Sequence, residues 1–196
     1  MESDLKQISG EVGLAIRRPE ALVTLWQGVE GRRFNVMIAV LLANAVFGTA
    51  AYGVTMQMHR GAVGMIEGGF WTTLSAGLAW AIALPALYIV NSALGSKVSL
   101  RACILAASVT VCFGAWAMLA SVPINWFFTL ALPHAAARWA INVIVFSGVG
   151  ICMIDVFLRS LLALDPESSR EFGFVWVCLL AAIGTELFVL FGVFNF

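Results

Sequence analysis

The sequence predicts an all-α protein: a polytopic transmembrane bundle of five spans, with amphipathic interfacial helices at its N-terminus. Three observations predict it. First, 61% of the 196 residues are hydrophobic and only 11% are charged, with a mean hydropathy of +0.95; soluble domains carry about 25% charged residues. Second, apolar runs of about 20 residues recur, the length a helix needs to cross ~30 Å of hydrocarbon with its backbone polar groups bonded internally. Third, the stretch Ala83–Arg101, ALPALYIVNSALGSKVSLR, closes one such run and opens the next. Only Gly95–Ser99 lie between them, a gap that forces two neighbouring antiparallel helices.

Residues 1–33 read as a cytosolic or interfacial segment and residues 34–196 as the bundle. Leu5, Ile8, Val12 and Ala15 fall near helical spacing, and Pro19 suits the first turn of a second helix. On that helix Leu22, Leu25, Trp26 and Val29 follow i, i+3, i+4, i+7, giving one apolar stripe flanked by Arg17, Arg18, Arg32 and Arg33. Such a helix lies in the headgroup plane or binds a partner; both uses share the pattern. The first 33 residues carry five charges of each sign and no early apolar core, which speaks against a secretory signal peptide.

Span 1 is Phe34–Met58, with Ala45, Thr49 and Gly53 at the four-residue spacing of close membrane-helix packing. A Gly-containing loop leads to span 2, Trp71–Leu94, where Pro85 removes a backbone bond and predicts a bend. Span 3, Arg101–Ser121, repeats the small-residue spacing at Ala106, Thr110 and Gly114. Residues 122–138, with Pro123 and Pro133, are too apolar for an ordinary loop and too short to cross. They should lie in the interface or dip back, with Trp126 at headgroup level. Span 4 is Trp139–Leu158, a polar loop covers 159–173, and span 5 is Phe174–Phe194. Nine of the eleven Lys and Arg fall in the N-terminal segment, the 95–101 turn and the 159–173 loop; Arg60 and Arg138 are left on the other side. Positive residues stay cytoplasmic, so the N-terminus is predicted inside and the C-terminus outside.

Chemistry-bearing residues are few. Cys103, Cys112, Cys152 and Cys178 sit within apolar runs, without metal-type CxxC spacing, and read as small packing residues. No nucleophile–base pair, phosphate loop or zinc motif appears, so no enzyme activity, cofactor or metal is expected. Net charge is zero and no basic tract points to nucleic acid, so no nucleic-acid partner is expected. Asp155 has Arg159 at i+4, the spacing of a local ion pair. Glu186 lies twelve residues into span 5, about 18 Å from its start at 1.5 Å per residue. A charge that deep costs at least about 2.5 kcal/mol. Glu186 is therefore expected to bond to Arg138, Asn142 or a partner group, or to serve as a proton or ion site.

The pattern also has a relative. A Pro before span 1 (RRPEAL), AAYG at Ala50–Gly53, PALYIVNSALG at Pro85–Gly95, the basic turn SKVSLR and SVPINWFF after span 3 resemble the Yip (Ypt/Rab-interacting) family of five-span membrane proteins. The resemblance is closest to the small bacterial Yip-like branch and covers Pro19 to Trp126. It implies a helical bundle rather than an enzyme. Eukaryotic members organise membrane traffic and bind small GTPases; the short N-terminal segment here implies a bacterial inner-membrane protein.

Two functional readings follow. One is a non-enzymatic integral membrane subunit, scaffold or membrane-organising component of a larger complex. Its partners would be the lipid bilayer and other membrane subunits or further copies of itself. The alternative is a small oligomeric transporter or channel that uses Glu186 and the Pro85 bend.

Overall fold

The computed structural model describes residues 2–93, 98–132, 134–165 and 182–191, with side chains from Gly10 onward except those of Val90 and Asn91. Among the described residues the secondary structure is entirely helical. The chain opens with α1 (Glu2–Arg17) and α2 (Pro19–Trp26), and Pro19 takes the first helical position of α2, where a missing N–H leaves no bond unmade. Trp26 Nε1 donates to the Glu11 carboxylate at 2.7 Å, holding α2 to α1 across the joint at Arg18. Gly28 (φ +83°) and Gly31 (φ +71°) then turn the chain, in backbone conformations that a side chain would strain.

Four long helices follow: α3 (Arg32–Met56), α4 (Gly61–Ala93), α5 (Leu100–Ala131) and α6 (Ala135–Leu164). Each is long and apolar enough to cross a membrane, as a multi-pass membrane protein requires. They alternate in direction, so one end of the bundle carries α1 and α2 and the other carries the α3–α4 and α5–α6 turns. Phe47, Ile66, Ile89, Leu130, Ile144 and Ile151 face outward, an apolar exterior suited to lipid. Helix α5 is central: 61% of its most apolar stretch is buried, against 28% or less for the others. A side chain on Gly48 of α3 would run into the Ala115 carbonyl of α5, and one on Gly53 into the Gly68 carbonyl of α4. The small-residue faces seen in the sequence are thus used between this chain's own helices. Ala106, Thr110 and Gly114 are buried in the same way, with Gly114 against Met153 of α6.

Several predicted boundaries need correction. The loop expected before Trp71 is absent: the 3₁₀ turn Met58–Arg60 separates α3 from α4, which begins at Gly61. Its glycines serve close packing instead, since Gly68 lies against Gly53 and Gln57. The segment 122–138 is no separate interfacial piece. Helix α5 continues through Pro123 to Ala131, where buried Asn125 and Thr129 anchor it. Helix α6 runs to Leu164, past the expected end at Leu158, because Ser160 and Leu161 extend its buried face. Helix α4 also runs through Pro85 to Ala93 without interruption.

Most of the expected fifth span lies outside the described residues. Residues 182–190 are helical. Ile183 packs against the cluster that holds Ala83, Leu87, Phe157 and Leu161, Phe188 shares a cluster with Tyr52 and Val149, and Phe191 stacks on Trp71 at 5.3 Å. This piece therefore runs along α4 and α6 toward the end opposite α2.

Candidate functional site

Three places gather polar groups: the α2 end, the far end and the middle of the bundle. At the α2 end, Leu22 and Trp26 are buried in one cluster with Phe34, Met37, Leu105 and Val109, and Val29 packs half-buried against it. Leu25 faces out, 55% exposed. The stripe that the sequence assigns to a membrane surface or a partner is largely occupied by the chain itself. Because α2 touches both α5 and α6, its buried face takes in Val23 rather than Leu25. Asp155 and Arg159 form their ion pair at 2.9 Å, and Arg159 also reaches Glu20 of α2 at 3.4 Å. Arg101 pairs with Glu30 at 2.9 Å. These pairs are exposed, and each is worth only about 0.2–1 kcal/mol. Apolar burial holds the clasp, and the ion pairs register it.

At the far end, the Tyr52 hydroxyl donates to Asn142 Oδ1 at 2.9 Å, and Asn142 Nδ2 donates to the Arg138 carbonyl at 2.9 Å. Asn125 Nδ2 donates to Thr55 Oγ1 at 2.9 Å, while Thr129 Oγ1 donates to Asn125 Oδ1 at 3.4 Å. Thr55 in turn donates to the Tyr52 carbonyl at 2.7 Å. Buried networks of this kind fix one helix register, because breaking a bond strands a polar group out of reach of water. Arg138 Nη1 donates to the Leu132 carbonyl at 3.0 Å in the α5–α6 turn. Sequence reading missed this network. Asn125, Asn142 and Tyr52 stand out as polar groups in apolar runs, but nothing in their spacing pairs residues 52 and 142.

The middle holds Glu186. Ile183 packs at the level of Phe157 and Leu161 and Phe188 at that of Val149 and Phe146, so Glu186, between them, lies level with the middle of α6. Its side chain is exposed on the outer face of the bundle. Among the described residues no hydrogen bond or ion pair reaches it, and the bonds seen on Arg138 and Asn142 lie at the far end. Thr185 is exposed beside it.

An apolar groove of about 430 Å³ lies between α3, α4 and α5, lined by Leu42, Trp80, Leu84, Ala107, Val111 and Met118 among others, and offers little that would orient a ligand. Among the described residues no group of three His, Cys, Asp or Glu side chains is placed to hold a metal ion. Compared with family models, curated proteins and solved structures, the chain matches none.

Proposed function

We propose that this chain is a non-enzymatic integral membrane subunit, a scaffold or membrane-organising component of a larger complex. We place it in the bacterial inner membrane with five spans and its N-terminus in the cytoplasm. The observation that carries the reading is the outward-facing Glu186 at mid-bundle. A carboxyl group there is costly against lipid, so a monomer in the bilayer is incomplete. The resemblance of AAYG (Ala50–Gly53) and PALYIVNSALG (Pro85–Gly95) to the Yip-like motifs implies the same kind of protein.

Purification from the native membrane at mild detergent concentration tests the reading. A stoichiometric membrane partner is expected with the parent chain and with Glu186→Gln, and is lost with Glu186→Leu. A parent chain that comes out alone contradicts the subunit reading. The transporter reading draws on the same mid-depth carboxyl. Proton or ion flux into vesicles holding the chain alone, abolished by Glu186→Gln, would favour it.

A further inference from the structure

We infer that the outer face of residues 182–189, formed by Ala182, Thr185, Glu186 and Val189, receives a transmembrane helix of another protein that carries a lysine or arginine near its midpoint. The inference rests on the subunit reading and specifies its partner.

The face follows from helix geometry. Ile183, Phe188 and Phe191 turn toward α4 and α6, while Ala182, Thr185, Glu186 and Val189, at i, i+3, i+4 and i+7, are all exposed. That is the spacing of one continuous helix–helix seam. Ala182 and Thr185 are small, which lets a partner backbone approach closely. The seam's one strongly polar group is a carboxyl at the level of the bundle centre, where the matching group must also be polar or the contact loses more than it gains.

Charge complementarity decides the occupant. Among the described residues no basic side chain is available at that depth: Arg60, Arg101 and Arg138 sit in first turns or the adjoining connections, and Arg159 lies at the α2 end, paired with Asp155 and Glu20. A second copy docked on the same face by a twofold axis would set Glu186 against Glu186, and neighbouring carboxylates oppose each other's ionised form. A basic side chain at the same depth instead forms an ion pair in a low-dielectric setting, where attraction is strongest. Exposed Thr185 adds a hydrogen-bonding group one residue away.

The test uses the full chain in phosphatidylcholine vesicles, labelled with a fluorescence donor. The probes are acceptor-labelled synthetic Leu/Ala helices of about 20 residues, bearing a central Lys, Leu or Glu. The Lys helix should associate about tenfold more tightly than the Leu helix. Glu186→Leu should remove that preference, and Glu186→Lys should transfer it to the Glu helix, which also shows that the variant is folded. Equal association of the Lys and Leu helices overturns the inference. Energy transfer between copies of the chain that depends on Glu186, with no preference for Lys, also overturns it, in favour of self-association. A stoichiometric native partner with no basic residue in its spans overturns this inference alone and leaves the subunit reading standing.

Discussion

Changing Leu22 and Trp26 together to Asp is expected to free residues 1–26 from the bundle. Their cleavage by added protease should rise at least about a hundredfold while the four long helices stay inserted. Both side chains are buried, Leu22 fully and Trp26 at 4% exposure, in a cluster shared with α3 and α5. Losing a buried Trp costs about 3–5 kcal/mol, and burying carboxylates in its place costs more. The exposed pairs Glu20–Arg159 and Glu30–Arg101 recover too little to compensate. Cleavage follows the open population, which grows tenfold for each ~1.4 kcal/mol lost. Leu25→Asp, on the outward side of the same helix, should leave cleavage unchanged. Equal resistance of the double variant and the parent would show that α2 is held by something other than this core.

Gly53→Leu is expected to have the largest effect on the bundle itself. A single added carbon at Gly53 already meets the Gly68 carbonyl and the Thr72 side chain, and the obstacle is backbone, which cannot swing away. Overpacking commonly costs about 1–3 kcal/mol, and a full Leu at a helix crossing belongs at or above the top of that range. The separation of α3 from α4 also disturbs Tyr52, whose hydroxyl holds Asn142. Thermal unfolding in detergent should show a clear drop in midpoint. Gly77→Ala makes the control: its added carbon meets nothing within 4 Å, and Ala favours helix over Gly, so stability should hold or rise. A Gly53→Leu protein as stable as the parent would remove the close crossing from the fold.

The long helices were legible because hydrophobic length is a strong signal, and lipid admits few alternatives for the backbone. Their ends were not, and the reason differs at each. Gly64, Gly68 and Gly69 read as loop glycines, since sequence alone cannot separate a flexible glycine from one pressed against another helix. Pro123 read as a helix end, yet a proline inside a long helix removes one bond and leaves the rest standing. At the N-terminus the apolar residues of α2 were visible, but what covered them was not. A stripe that suits lipid or a partner equally suits the chain's own α5. Asp155 with Arg159 was found because four residues separate them; Tyr52 with Asn142 and Glu20 with Arg159 were hidden by distances that only the fold closes. Glu186 was singled out by depth alone, and the structure adds the direction it faces.

Everything inferred for Glu186 depends on residues 174–194 crossing the membrane as a fifth span, with the two termini on opposite sides. Single cysteines at Ser96, at Ser168 and at a residue added after Phe196, in a chain with Cys103, Cys112, Cys152 and Cys178 replaced, measure this directly with a membrane-impermeant thiol reagent. The predicted result is labelling of positions 96 and 168 from the cytoplasmic side only and of the added residue from the outer side only. Labelling of position 96 and the added residue from the same side would contradict it.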